Sequence, residues 1–288
     1  MHSVSMQDDV AIGTWNRLEI LRNTDIGQVV DGGELLEEIL LPKRYMHPDL
    51  GPGDEIDVFL YCDSEDRIIA TTEKPYGVVG DMLALEVMDV TPMGFFLDWG
   101  LPKDLLLPLR EKKGHPQRGE FVVVKIVFDE KSRRLHATQK LSVSPDLPFP
   151  NFRPGDKVGA LIASEGDLGW TVVVEGRYLG MLFFNEVFCE LEPAEFGEAY
   201  VRQVRPNDGY IDLSLEPIGF KERIDPLRDR ILAALQESES KSLPLHSKSK
   251  AEDIYEAFAC SKKNFKKALG GLYKDEIIRI EAHGIELR

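Results

Sequence analysis

Five lysines near the C-terminus of this 288-residue chain, Lys262, Lys263, Lys266, Lys267 and Lys274, have a spacing that could do chemistry. On a helix, Lys263, Lys266, Lys267 and Lys274 fall at i, i+3, i+4 and i+11 and share one face. A face of that kind suits a phosphate backbone: each phosphate it neutralises releases counterions, so binding is steeply salt-dependent. Lysines hold phosphates without reading bases, so no sequence specificity is implied. The plain alternative is a solvated helix face. A second candidate, the acidic run Asp63-Ser64-Glu65-Asp66, has the composition of a cation ligand set, but Asp and Ser suit a polar hairpin turn better. Other chemistry is missing. The chain has no Gly-rich phosphate loop, no G-x-S-x-G and no C-x-x-C, and its six histidines include no pair at metal spacing. These observations predict no catalytic residues, no metal and no cofactor.

The elements that would carry the lysines are legible. Pro226-Leu227 opens a run with Ile231, Leu232 and Leu235 at helical spacing, ended by the polar stretch from Glu237 to Lys241. Ser249 and Glu252 have capping-box spacing and predict a second helix carrying Ile254, Tyr255 and Phe258. Ser261 starts a third helix, with Phe265, Leu269 and Leu272 inward. Ile277 to Ile280, His283-Gly284 and Ile285 to Leu287 predict a β-hairpin. Three helices and a hairpin are a winged-helix layout, with the lysines on the would-be recognition helix.

The first 220 residues repeat. The segment from Asp63 to Thr71 recurs from Asp129 to Thr138, and the glycine before an apolar run recurs as Gly27 and Gly94; the Ala70/Ala137 close and the glycine are both displaced by 67 residues. A weaker third copy has Gly169 before Trp170-Thr171-Val172-Val173 and ends Ile211-Asp212-Leu213-Ser214. Each copy continues into a short segment ending Leu41-Pro42, Leu107-Pro108 or Leu182-Phe183-Phe184. A Gly-Asp or Gly-Glu turn follows, expected at Gly53-Asp54, Gly119-Glu120 and Gly197-Glu198. The pattern predicts about five strands per copy, and closing them into a small barrel hides the edges. Glu73-Lys74-Pro75 and the segment from Ser144 to Pro150 read as semi-rigid linkers.

Composition sets the bounds. The net charge is −15, but residues 221–288 hold 14 basic against 12 acidic side chains, which leaves 21 against 38 in residues 1–220, a net −17. An acidic array repels polyanions at long range, so any contact there needs local patches. Cys62, Cys189 and Cys260 are odd in number and far apart, which predicts reduced thiols in a cytoplasmic protein. Asp8 and Asp9 stand where a secretion signal would be basic, and no apolar run is long enough to span a bilayer, so no membrane partner is expected.

The strand, the Gly-led apolar strand, the Leu-Leu-Pro ending, the Gly-Asp turn and the Asp…Arg-Ile-x-Ala-Thr close resemble the ribosomal S1-type RNA-binding domain, an OB-fold barrel. Three such units before a basic helical tail resemble the conserved virulence factor B family of bacterial proteins, over roughly residues 10–288. The resemblance implies a mainly β chain with a C-terminal α+β domain: S1-like OB barrels at 10–75, 76–144 and 151–219, then a winged-helix domain at 222–288. It also implies aromatics around the glycine, an aromatic or histidine after the third strand, and an Asp/Arg pair at the last turn. Before the glycine stand Ile26, Met93 and Leu168, and two after it Val29, Phe96 and Thr171. Trp170 is one position off and is expected to face the core unless the register slips. The third-strand position holds Pro42, Pro108 and Phe183. The turn pairs are expected as Asp63 with Arg67 and Asp129 with Arg134, replaced in the third copy by Pro206 and Tyr210.

The candidate nucleic-acid-binding residues are therefore Arg67, Phe96, Asp129, Arg134, Trp170, Phe183, Tyr210, Lys262, Lys263, Lys266, Lys267 and Lys274. Each aromatic has core filling as its alternative, and each arginine a solvated turn. The resemblance implies a non-enzymatic single-stranded RNA binder in post-transcriptional regulation. Two alternatives stay open: a duplex-DNA regulator acting through the winged helix, and a scaffold whose acidic barrels dock protein partners.

Overall fold

The computed structural model describes residues 10–187, 189–217, 226–238, 240–281 and 284–288. The predicted hairpin residue His283 and the expected junction between third barrel and tail, 219–222, lie outside the described residues. The chain divides into two compact units, one made of the residues through Phe184 with Glu190–Ser214, the other of Asn185–Cys189 with Leu215–Arg288.

The first barrel contains β1 (Trp15–Thr24), β2 (Gly27–Asp31), a helical turn α1 (Gly33–Leu36), β3 (Glu38–Pro42), β4 (Glu55–Cys62) and β5 (Ile68–Thr71). Its strands close in the order β1-β2-β3-β5-β4. The second holds β6 (Met82–Thr91), β7 (Gly94–Asp98), β8 (Leu105–Pro108), β9 (Phe121–Asp129) and β10 (Arg134–Thr138). The third holds β11 (Lys157–Glu165), β12 (Gly169–Val174), β13 (Tyr178–Phe183), β14 (Phe196–Val204) and β15 (Ile211–Ser214), and it closes in the first barrel's order. The second keeps that order, but no ladder joins β8 to β10 among the described residues. Its seam is held by the loop after β8 instead: the Gln139 amide donates to the Glu111 carbonyl at 3.0 Å and the Thr138 hydroxyl to the Glu111 carboxylate at 2.9 Å.

The repeated glycine is a packing requirement. Gly27, Gly94 and Gly169 lie opposite Pro42, Pro108 and Phe183 across the second and third strands of their barrels. A Cβ there would stand 2.1, 2.2 and 2.1 Å from the carbonyl oxygens of Leu41, Leu107 and Leu182. No side chain fits at that distance.

The turn before the fourth strand corrects one expectation. Gly53 and Gly119 donate to Ile20 and Val87, each at 2.8 Å, and the third-barrel counterpart is Ala194, which donates to Ile162 at 2.8 Å. Gly197-Glu198 lies inside β14. The third copy therefore holds Ala194 at φ 70°, where the first two use glycine at 92° and 84°. The left-handed backbone costs an L-residue about 1–2 kcal/mol, and the missing glycine hid the correct alignment.

The barrels do not hang on linkers. In β4, Val58 and Leu60 face their own barrel, while Phe59 and Tyr61 join the second barrel's core with Trp99, Val122 and Val124. The Trp99 ring meets Phe59 and Tyr61 edge-on at 5.8 and 6.4 Å. Met82 and Val123 likewise pack against Leu161, Val173 and Leu179 of the third barrel. This covering of both faces is why Val122-Val123-Val124-Lys125-Ile126 lacks polar alternation. Lys125 survives burial by donating to the Ser142 carbonyl at 2.9 Å, and desolvation pushes its pKa down.

The second unit contains α2 (Pro226–Glu237), β16 (Ser242–Leu243), α3 (Ala251–Phe258), α4 (Lys262–Lys274), β17 (Ile278–Glu281) and β18 (Gly284–Leu287). The sheet order is β16-β18-β17. Ile231, Leu235, Ile254, Phe258, Phe265, Leu269 and Leu272 form its core, with Phe258 stacked on Phe265 at 5.5 Å. Ser261 caps α4 as expected, accepting from the Asn264 amide at 3.2 Å. Ser249 does not cap α3. The residue before that helix is Lys250, and the Ser249 hydroxyl accepts from the His246 amide at 2.9 Å. Strand β16 was too short to leave a sequence signal.

Candidate nucleic-acid interface

The helix α4 presents two opposed faces. Phe265, Ala268, Leu269 and Leu272 are buried, while Lys263, Lys266, Lys267, Gly270 and Lys274 are exposed on the far side. Lys262 is half-buried, its ammonium 3.4 Å from the Lys248 carbonyl. None of the five lysines forms an ion pair among the described residues. Gly270, in the middle of the lysine face, has nothing within 4 Å of a Cβ position, so the helix backbone itself can approach a ligand closely.

Phe96 takes the expected outward register on β7 and is half-exposed, whereas its neighbour Phe95 is buried. Its cross-strand partners are Asp89 and Leu106, and Asp98 lies opposite Glu86. Burial, then the charges of Asp98 and Asp89, pushes the Asp104 carboxyl above its ordinary pKa. The aromatic therefore sits among carboxylates that repel a phosphate backbone.

The turn pairs differ from expectation in two barrels. Arg67 does reach Asp63, at 2.7 and 2.9 Å, and also pairs with Glu65 at 2.9 Å. Burial works against ionisation of Asp63, but the bonds from Arg67 and the backbone amides outweigh it and lower its pKa. Arg67 is thus already neutralised by two carboxylates. Asp129 and Arg134 are cross-strand neighbours yet do not pair. Asp129 accepts from the Lys131 amide and the Ser132 hydroxyl, both at 3.0 Å, which ties it into its own turn. Arg134 reaches instead to Asp66 of the first barrel at 2.5 Å, which also holds Lys103 at 3.1 Å.

In the third barrel the position matching Asp63 is Arg205, not Pro206. The Arg205 amide donates to the Tyr210 carbonyl at 2.8 Å as the Asp63 amide does to Arg67 at 2.9 Å. The guanidinium lies 5.2 Å from the centre of the Tyr210 ring and bonds Asp212 at 2.7 and 3.0 Å, while Gln203 donates to the other Asp212 oxygen at 2.6 Å. The arginine–aspartate pair survives there with its order reversed, which concealed it in the sequence. Trp170 takes the same register as the core residue Phe95, partly exposed, with Leu182 and Glu165 across from it. Phe183 is half-exposed opposite Gly169, and Tyr210 is half-exposed beneath Arg205.

The loop after β8 went unnoticed in the sequence because Glu111 and Pro116 interrupt its charges. It carries Arg110, Lys112, Lys113 and Arg118, and Glu111 ties it down. That carboxylate lies 3.3 Å from Lys140 and 3.6 Å from Arg110. The Lys113 amide donates to the Gln139 side chain at 2.6 Å. Among the described residues no group of His, Cys, Asp and Glu could hold a metal, and no helix is long and apolar enough to cross a membrane.

Comparison with known proteins follows the same division. Residues 12–73 match the family model of the S1 domain, and residues 229–287 that of the CvfB-like winged helix domain. "Uncharacterized protein YitL" of Bacillus subtilis is 29% identical over 287 residues, covering 93% of this chain and 91% of that protein. "Conserved virulence factor B" of Staphylococcus haemolyticus is 29% identical over 248 residues, covering 83% and 81%, and that of Staphylococcus aureus (strain USA300) is 28% identical over 261 residues, covering 87% and 86%. A solved multidomain protein with nucleic acid binding domains from Streptococcus pneumoniae is 25% identical, covering 96% of this chain and 98% of that one, with a TM-score of 0.43. An S1 domain at one end and a CvfB-like winged helix at the other support nucleic acid binding, and over most of its length the chain is similar to the conserved virulence factor B proteins.

Proposed function

We propose that this protein is a non-enzymatic single-stranded RNA-binding protein of the bacterial cytoplasm that acts in post-transcriptional control. One observation carries the reading: Lys263, Lys266, Lys267 and Lys274 form an exposed cationic face on α4 with no ion pair among the described residues. Its geometry suits phosphates and offers no base-reading side chain, so affinity without strong sequence preference follows. The half-exposed Phe183 and Tyr210 of the third barrel are the best placed to stack bases, at roughly 1–3 kcal/mol per base. Their neighbour Arg205 adds a cation to the same platform.

The test is binding of an oligouridylate to the full chain across a salt series. Replacing the four lysines by Ala should lower the salt slope by about 3, at about 0.7 per phosphate contact on a single strand. Absence of wild-type binding at low salt, or an unchanged slope in the variant, contradicts the proposal. A winged helix presenting α4 also suits a duplex groove. Competition of duplex DNA against the oligouridylate separates the two readings: stronger competition by duplex favours the DNA regulator.

A further inference from the structure

The loops between the third and fourth strands of the three barrels invite direct comparison, because each runs ten residues between structurally matched positions. The matched partners are Pro42, Pro108 and Phe183 on one side and Gly53, Gly119 and Ala194 on the other. Residues 43–52 carry a net +1, residues 109–118 a net +3 and residues 184–193 a net −3. Such a concentration of positive charge is unusual within an array whose net charge is −17.

The second-barrel loop is also held in place. Glu111, its only acid, is half-buried and engaged from Arg110, Thr138 and Lys140. Burial opposes its ionisation, but the bonds from Thr138 and Lys140 prevail and keep its pKa low. The carboxylate is therefore spent inside the structure. Lys113 and Arg118 are exposed and form no ion pair among the described residues. Lys112 bonds the Gly114 carbonyl and lies 3.3 Å from His115, with no carboxylate partner among the described residues. On β6, β7 and the segment leading into β8, by contrast, Phe96 lies opposite Asp89, with Asp98 two residues along its strand and Asp104 close enough to both carboxylates to feel their charge.

We infer that the loop carrying Arg110, Lys112, Lys113 and Arg118 is a phosphate-binding station for a polynucleotide strand on the barrel array, and that the Phe96 face is not. The inference rests on the proposed nucleic-acid function and locates its contact on the barrels. A screened, solvated patch of this kind acts locally, because a Debye length of about 8 Å isolates it from the acidic surface farther away. It holds the backbone and leaves base reading to other groups.

The test uses the full chain with Lys112→Ala, Lys113→Ala and Arg118→Ala combined, and a fluorescein-labelled oligouridylate as probe. Three lost contacts should lower the salt slope by about 2 and weaken binding roughly tenfold at low salt. Lys112→Arg with Lys113→Arg should retain both, because the charge is kept. Asp89→Asn with Asp98→Asn serves as the control on the other face and should not weaken binding. Wild-type binding with an unchanged slope in the triple variant overturns this inference alone. No wild-type binding overturns the functional proposal and this inference with it. Tighter binding of polyglutamate than of the oligouridylate, lost in the triple variant, assigns the loop to an acidic protein partner and also overturns it.

Discussion

The second and third barrels share their strand order and their glycine-led second strand, yet their ten-residue loops carry opposite charge. In the second, Arg110, Lys112, Lys113 and Arg118 dominate; in the third, Glu186, Glu190 and Glu192 do. The turn arginine also behaves differently. Arg134 is committed to the first barrel through Asp66, whereas Arg205 stays in its own barrel with Asp212 and Tyr210. The difference teaches that this fold constrains backbone approach and core filling, and leaves the surface free to diverge. The three barrels are one architectural unit used three times, with surfaces that differ in charge.

Substitutions can break that comparison, beginning with the shared backbone. Gly94→Ala and Gly169→Ala should each cost about 3 kcal/mol, because the new Cβ would meet a carbonyl oxygen at 2.2 or 2.1 Å. Gly197→Ala, with nothing within 4 Å, should stay within about 0.5 kcal/mol. Urea unfolding of the three variants checks both statements. Equal effects at Gly169 and Gly197 would mean that the repeated glycine is not a packing requirement.

A smaller contrast lies in the turn before the fourth strand. Gly119→Ala should cost about 1 kcal/mol at its φ of 84°, while Ala194→Gly should gain about 0.5 kcal/mol by relieving strain at 70°. Opposite signs in thermal melts sharpen the assignment of Ala194 as the glycine counterpart. The ion pairs between the first two barrels matter less. Asp66→Ala removes contacts to Lys103 and Arg134, but all three side chains are at least a third exposed, so a loss of about 0.5 kcal/mol is expected in the same melts.

The smallest effect is confined to the second barrel. His136 is half-buried, and burial lowers its pKa despite Glu111 and Asp129 nearby. Its folded form binds protons less readily than the unfolded one. The associated stability is present above pH 6.5 and is lost as pH falls below that value. His136→Ile, which copies Ile69 at the same register in the first barrel, should remove this acid sensitivity in melts followed between neutral and mildly acidic pH.

Much of the fold was legible because barrels and bundles leave periodic marks. The Gly27/Gly94 landmark and the repeated Asp…Ala-Thr close marked the strands, and Phe265, Leu269 and Leu272 marked the core side of α4. Gly13, Gly80 and Gly155, each with positive φ just before the first strand of its barrel, were a further landmark, the first two again 67 residues apart. The fused cores were not legible. An apolar run such as Val122-Val123-Val124 reads the same whether its second face meets a neighbouring barrel or its own. The site was less legible still. Whether Arg134 meets Asp129 or Asp66 depends on contact between barrels, which no local spacing encodes.

The most direct measurement is lysine acetylation of the full chain with and without an oligouridylate, read out residue by residue. Protection of Lys263, Lys266, Lys267 and Lys274, together with Lys112 and Lys113, is predicted, with Lys103 and Lys157 unchanged because Asp66 and Glu198 already hold them. Protection absent from α4 and from the loop after β8 while the oligonucleotide is bound would contradict the account.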